Sequence, residues 1–262
     1  MNLGFSFPEA KFNTSFWNVS RPPIPAPHIT PDRSKSIFLR LILSFFCSER
    51  FFRYSLLIFN AVIIAALFSS NPDASLTSVS LVSCKTAALI NGTISHALDY
   101  DDTHFDYLGH PSVVVLSAAL AISDKYKLSF EEFKNASIIG METSCRIGKW
   151  LGRKHYRSGF HITSTSGIFG ATIAVSKLMG LSSEQIENAL CIATSHSSGL
   201  KEQFGSMVKP YHIGMAANSA IQSSILSKNG LEASINSFDG PQGFGKTHNS
   251  EFNYENFDVS LH

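Results

Sequence analysis

The stretch Asn91–Ser123, NGTISHALDYDDTHFDYLGHPSVVVLSAALAIS, decides how this chain is read. Its first part crowds His96, Asp99, Asp101, Asp102, His104 and His110 into one short span. Its last part is a run of apolar and small helix formers. Charged residues are sparse elsewhere, so such a cluster costs desolvation wherever it is buried. Pro111 suits the first turn of a helix, because the N–H it lacks would have no partner there. His110 is thereby placed just before a helix N-terminus, where the helix dipole opposes a positive charge. A histidine held neutral there accepts a proton, and the helix end holds an anion.

Helical signals continue downstream. Ser129-Phe130-Glu131-Glu132 is a capping box that opens a helix running towards Arg146, and Ser182-Ser183-Glu184-Gln185 opens another. Ile168 to Met179 reads as a helix closed by Gly180, and His212 to Lys228 as one closed by Asn229-Gly230. Alternating β-branched runs bounded by tight turns do not appear. The fold class is therefore all-α, with small residues on more than one helix face, as close packing in a helical core requires. The tail from Phe238 has glycine turns and then no periodicity; it reads as the start of something that does not continue.

Upstream, residues 1–36 are rich in Pro, Ser and Asn, with PPIPAPHITP at the centre, and read as an irregular or disordered arm. Residues 37–72 form an apolar helical segment. Its longest uninterrupted part, YSLLIFNAVIIAALF, falls short of the ~20 residues a spanning helix needs. A buried helix pair is the first reading and a membrane anchor the second. No basic n-region with an apolar core opens the chain, so a cytoplasmic or mitochondrial location is expected. The formal net charge of +1, with no basic stripe, excludes a nucleic-acid binder. Cys47, Cys84, Cys145 and Cys191 lie far apart, without the pairs of a zinc or iron–sulfur site, and read as buried thiols in a reducing compartment.

The chemistry concentrates at three loop-to-helix junctions. His110 stands at the first. The second is Gly159–Gly167, GFHITSTSG, where His161 lies in a polar loop and Thr163, Thr165 and Ser166 are free to cap N–H groups or bind a ligand. At the third, Lys209 precedes Pro210, which biases its backbone towards extended geometry before the next helix starts. Each helix end offers N–H donors and a favourable potential for an anion. The lysine adds a full charge, and the histidines move protons at neutral pH. Together they suit a small substrate carrying several carboxylates. A rival reading takes His96, Asp99, Asp101, Asp102 and His104 as metal ligands of a hydrolase, although no second ligand cluster is evident.

Four ordered pieces resemble the MmgE/PrpD family, which includes 2-methylcitrate dehydratase and cis-aconitate decarboxylase. They are NGTISHALDYDDTHFDYLGHPS, GFHITSTSGIFGATIAVSKLMGL, ALCIATSHSSGL and MVKPYHIGMAANSAIQSSILSKNGL. FDGPQGF is similar to the segment that closes the family's first helical part, and the resemblance covers roughly Ser75 to Gly245. It implies a helical domain over residues 73–245, a tail at 246–262 where an α+β lid domain should begin, and assembly as a homodimer. It also implies cofactor-free, metal-free lyase chemistry on small di- or tricarboxylates. By matching motif, Asp99 and Thr103 correspond to site residues of the DYDDT segment, with His110, His161 and Lys209 beside them. His110, His161 and Asp99 are the catalytic candidates, and Lys209 and Thr103 the substrate-binding ones. His110 and His161 are interchangeable as acid and base at this stage, and Asp99 is the candidate to orient a histidine. The family's lid supplies a second lysine and a tyrosine that this chain lacks. The expectation is a truncated chain with little activity alone; the alternative is a non-catalytic remnant or a subunit that needs a partner.

Overall fold

The computed structural model describes residues 82–248. The arm at 1–36, the apolar segment at 37–72 and most of the 246–262 tail lie outside the described residues. The described elements are α1 (Cys84–Ser95), α2 (Pro111–Tyr126), α3 (Phe130–Arg157), α4 (Ile162–Leu178), α5 (Ser183–Thr194), α6 (Val208–Lys228) and a short α7 (Phe244–Thr247). Single 3₁₀ turns occupy Lys201–Gln203 and Ile235–Ser237. Among the described residues there is no strand, only isolated bridges at His104–Gly109 and Phe160–Leu200. The all-α expectation holds there.

Helix α4 is the axis of the bundle. Every residue from Ile162 to Leu178 except Lys177 is buried, as expected for a helix that is apolar or small on all sides. It packs against α2, α3, α5 and α6, while α1 lies against α2 and α6. Glycines let the backbones touch at two crossings. A Cβ on Gly170 of α4 would fall 2.2 Å from the Gly140 carbonyl oxygen of α3, and one on Gly214 of α6 would fall 2.2 Å from the Leu89 carbonyl oxygen of α1. Any side chain at either place would force the helices apart.

Both capping boxes form: Ser129 and Glu132 satisfy each other's backbone N–H groups at the start of α3, and Ser182 and Gln185 do so at α5. Helix α3 runs past Arg146 to Arg157, broken at Gly152, whose φ of 70° and ψ of 179° are not helical. Two starts differ from the sequence reading. Helix α4 begins at Ile162, directly after His161, so Thr163, Thr165 and Ser166 are not loop residues but buried helical ones. Their hydroxyls are taken up internally: Ser166 donates to the Ser144 carbonyl at 2.6 Å, and Thr165 Oγ1 lies 2.7 Å from His155 Nε2. Helix α6 begins at Val208, so Lys209 is helical rather than extended and Pro210 sits in the first turn. Proline is tolerated there because the first four helical N–H groups have no intrahelical acceptor.

The segment from Phe238 is part of the core. Phe238 stacks on Trp150 of α3 with ring centroids 5.3 Å apart, and Phe244 meets Phe169 of α4 at 4.8 Å. His155, fully buried, lies flat on Phe160 at 4.4 Å and donates from Nδ1 to the His248 carbonyl at 2.7 Å. Of the cysteines, Cys191 is buried and Cys84 and Cys145 half-buried, all as free thiols; Cys47 lies outside the described residues. Among the described residues no helix is long and apolar enough to cross a membrane.

Candidate functional site

Three helix N-termini meet at one place. His110 is the N-cap residue of α2, His161 that of α4, and Lys209 stands in the first turn of α6. Neither histidine spends its side chain on capping. The role falls instead to Asp102, whose Oδ1 accepts from the Ser112 backbone N–H at 3.3 Å and from the Ser112 hydroxyl. Both imidazoles are thus left for the site.

The loop between α1 and α2 closes the group. Asp99 holds φ at 58° and Leu108 at 59°, a left-handed backbone that non-glycine residues adopt at a cost of about 1–3 kcal/mol each. Tyr107 anchors the loop. Its ring is fully buried, and its hydroxyl donates to the Thr163 carbonyl at 3.3 Å. The His110 backbone N–H donates to Thr163 Oγ1 at 3.2 Å, tying the start of α2 to α4.

Lys209 Nζ lies 2.6 Å from Asp99 Oδ1, and His110 Nε2 lies 3.5 Å from the same oxygen. Asp101 serves the histidines: His96 Nδ1 is 2.8 Å from its Oδ2, and His110 Nδ1 is 3.3 Å away. His96, at the C-terminal end of α1, is buried between the other two rings. It meets His110 edge-on at 4.8 Å and stacks on His161 at 5.7 Å. His161 Nδ1 lies 3.1 Å from His212 Nδ1, and Phe204 presents itself edge-on to His161 at 4.9 Å. The Lys209 ammonium sits 5.1 Å from the Phe204 ring centre.

So Asp99, His110, His161 and Lys209 belong to one cluster. Thr103 is exposed and stands outside this group of contacts. Asp101 is hydrogen-bonded to His96, and Asp99 lies between Lys209 and His110. His212 and Phe204 join from α6 and the loop before it. Spacing gave a partial signal for His212, since residues three apart on a helix share a face with Lys209.

Burial pushes His161 down to about 2, and the surrounding His96, His212, Lys209 and His110 add to the effect. His212 is lowered as well, by burial and then by His96. Burial alone would raise the Asp99 carboxyl, but the Lys209 ammonium bonded to it, with His96 and His110 close by, outweighs this and the net shift is downward.

One donor from each of His96, Asp99, Asp101 and His110 lies within 4.8 Å of the others, a set whose chemistry suits a divalent cation. His96 Nε2 and His110 Nδ1 are buried and make no hydrogen bond of good geometry among the described residues, although carboxylate oxygens lie 3.8 Å and 3.3 Å away. Against a metal stands Lys209, whose ammonium already occupies the Asp99 oxygen and would repel a second cation.

The MmgE/PrpD N-terminal domain family matches residues 63–256. This chain belongs to the MmgE/PrpD family. It is similar to the cis-aconitate decarboxylase of Homo sapiens, 33% identical over 164 residues that make up 61% of this chain and 34% of that protein. The Aspergillus terreus cis-aconitate decarboxylase is 32% identical over 154 residues, 56% of this chain and 31% of its own. A cis-aconitate decarboxylase-like protein of Aspergillus oryzae is 30% identical over 168 residues, 61% and 35% respectively. The matched part thus spans about a third of the length of these relatives. The family match at residues 63–256 contains every residue of the cluster.

Proposed function

We propose that the cluster is the helical-domain half of a cofactor-free lyase site for small di- or tricarboxylates, with decarboxylation of cis-aconitate as the first candidate reaction and dehydration of a 2-methylcitrate-type acid as the second. The observation that carries this reading is the convergence of His110, His161 and Lys209 at three helix N-termini. Lys209 and the helix ends would hold the carboxylates, exchanging the Asp99 contact for a substrate one. In decarboxylation the C–C bond to the departing carboxylate breaks, CO2 leaves, and the electron pair stays on the substrate carbon, delocalised towards a neighbouring carboxylate. Lys209 would stabilise that developing charge, and His110 or His161 would deliver the proton that replaces CO2. In dehydration the same groups would remove a proton beside a carboxylate and assist the departing hydroxide. Burial keeps His161 neutral and able to pass a proton in either direction. Assembly as a homodimer belongs to the same proposal.

The test is a proton NMR screen of the purified protein against cis-aconitate, 2-methylcitrate, citrate and iminodisuccinate. Loss of cis-aconitate signals with CO2 release supports decarboxylation, and loss of the others supports dehydration or epimerisation. Absence of both binding and conversion for all four acids would remove the reading. A second reading, a divalent-cation site in a hydrolase, is favoured by His96 Nε2 and His110 Nδ1, which make no hydrogen bond of good geometry, beside two carboxylates. Stoichiometric zinc, manganese or iron in protein purified without added metal would favour it.

A further inference from the structure

His212 stands three residues after Lys209 on the same helix and faces His161 nitrogen to nitrogen, Nδ1 to Nδ1, at 3.1 Å. Two bare lone pairs cannot face each other at that distance without repulsion, and two N–H groups would clash. A single proton therefore lies between the rings, and one donates while the other accepts. The pair is closely held. Ser164 donates to the Ser198 carbonyl at 2.6 Å and to the His212 carbonyl at 3.3 Å. The His161 N–H donates to the Gly199 carbonyl at 2.9 Å. A Cβ on Gly199, whose φ is 131°, would come within 3.3 Å of His212 Nδ1 and 3.4 Å of His161 Cβ. His161 is buried, and His212 is half-buried and reaches partly towards solvent.

The shared proton has a chemical consequence. A neutral imidazole carries one N–H, so the ring that donates from Nδ1 has a bare Nε2, and the ring that accepts at Nδ1 carries its hydrogen on Nε2. Moving the proton across the 3.1 Å gap, as the His161 Nε2 proton leaves and His212 Nε2 gains one, converts His161 from an acid at Nε2 into a base at Nε2. Neither ring then has to become a cation, the state that burial beside His96 and Lys209 disfavours most.

We propose that His212 is a positioning and proton-relay residue that sets the tautomer of His161 and keeps the ring neutral as its Nε2 proton is delivered. The inference rests on the lyase reading of the site. In the ready state His212 donates from Nδ1, and His161 accepts at Nδ1 and presents Nε2–H. When the His161 Nε2–H bond breaks and its proton forms the new C–H bond, the His212 Nδ1 proton passes to His161 Nδ1. His212 Nε2 takes a proton from water in the same step. Both rings end neutral with their tautomers exchanged, and the net result is one solvent proton delivered to substrate carbon. The reverse passage, in which His161 Nε2 takes up a solvent proton as its Nδ1 proton passes to His212 Nδ1 and the His212 Nε2 proton leaves to solvent, keeps both rings neutral and completes the cycle.

The test combines histidine tautomer assignment with turnover. Long-range 1H–15N correlation spectra of the 15N-labelled protein should show His161 and His212 neutral and in opposite tautomers. In His212→Asn the side-chain amide nitrogen takes the place of Nδ1 and can still donate to His161 Nδ1. His161 should therefore stay in the Nε2–H form and polycarboxylate affinity should hold, while turnover falls on the order of 10²-fold because an amide relays no proton. His212→Phe should lose both the single tautomer and turnover. Wild-type spectra with both rings in the Nε2–H form overturn the shared proton, whatever the activity or the folding of the variants. His212→Asn turning over at the wild-type rate overturns the relay step. Opposite tautomers in a protein that neither binds nor converts any polycarboxylate overturn the lyase reading and the relay with it, and leave the pairing intact.

Discussion

Replacing Gly148 by alanine should cost stability through one ring. A Cβ there would lie 2.0 Å from Tyr107 Cδ2 and 2.6 Å from Cε2. Carbon atoms rest about 3.5–4.0 Å apart, so ring or helix must yield by roughly 1.5 Å. Tyr107 is fully buried and its hydroxyl is bonded to α4, so it cannot swing into solvent. Overpacking of this kind costs about 1–3 kcal/mol, and the gain from replacing a helical glycine offsets up to about 1. A net loss of about 2 kcal/mol is expected, measured by urea unfolding followed by circular dichroism. Polycarboxylate affinity should fall too, because Tyr107 anchors the loop that carries Asp99, Asp101 and His110. Tyr107→Ala alone should cost about 3–5 kcal/mol. In that background Gly148→Ala should be neutral or slightly stabilising, since the clashing ring is gone. The same 2 kcal/mol loss in both backgrounds would refute the argument.

Three further outcomes are expected. Lys209→Ala should weaken polycarboxylate binding by about 2–4 kcal/mol, since it removes the anchor and leaves Asp99 uncompensated; calorimetry showing unchanged affinity would count against the anchoring role. Polycarboxylate binding should be linked to proton uptake, because each added anion favours the charged form of a nearby imidazole; calorimetry in two buffers of different ionisation heat reads this directly, and identical heats would refute it. His155 is held down to about 4 by burial, so the unfolded chain binds its proton more readily. Stability is then fully present above pH 6.5 and lost by on the order of 2–4 kcal/mol as pH falls to about 4, and His155→Gln should flatten that part of the urea-unfolding profile.

What was legible in the sequence follows its local signals. Helix starts marked by a capping box, Ser129 and Ser182, were readable because the box is made by residues three apart. The start of α4 was misplaced because TSTS is polar on paper. In the fold its hydroxyls are spent on carbonyls of other segments, Ser164 on Ser198 and Ser166 on Ser144, which no local pattern announces. Lys209 looked extended because of the proline after it, but the first turn of a helix absorbs that proline. Junction residues could be singled out from composition and position. Their partners could not, because the pairings of Asp101 with His96, Asp99 with Lys209 and His161 with His212 are set by tertiary packing. The aromatic closure from Phe238 was missed for the same reason: its order comes from Trp150 and Phe169, far away in the chain.

The central claim is that Asp99, His110, His161 and Lys209 form one polycarboxylate site. Titration of cis-aconitate into 15N-histidine-labelled protein tests it most directly. The account predicts saturable shifts of the His110 and His161 ring resonances, absent in Lys209→Ala. No shift at millimolar ligand, or shifts that persist unchanged without Lys209, would contradict it.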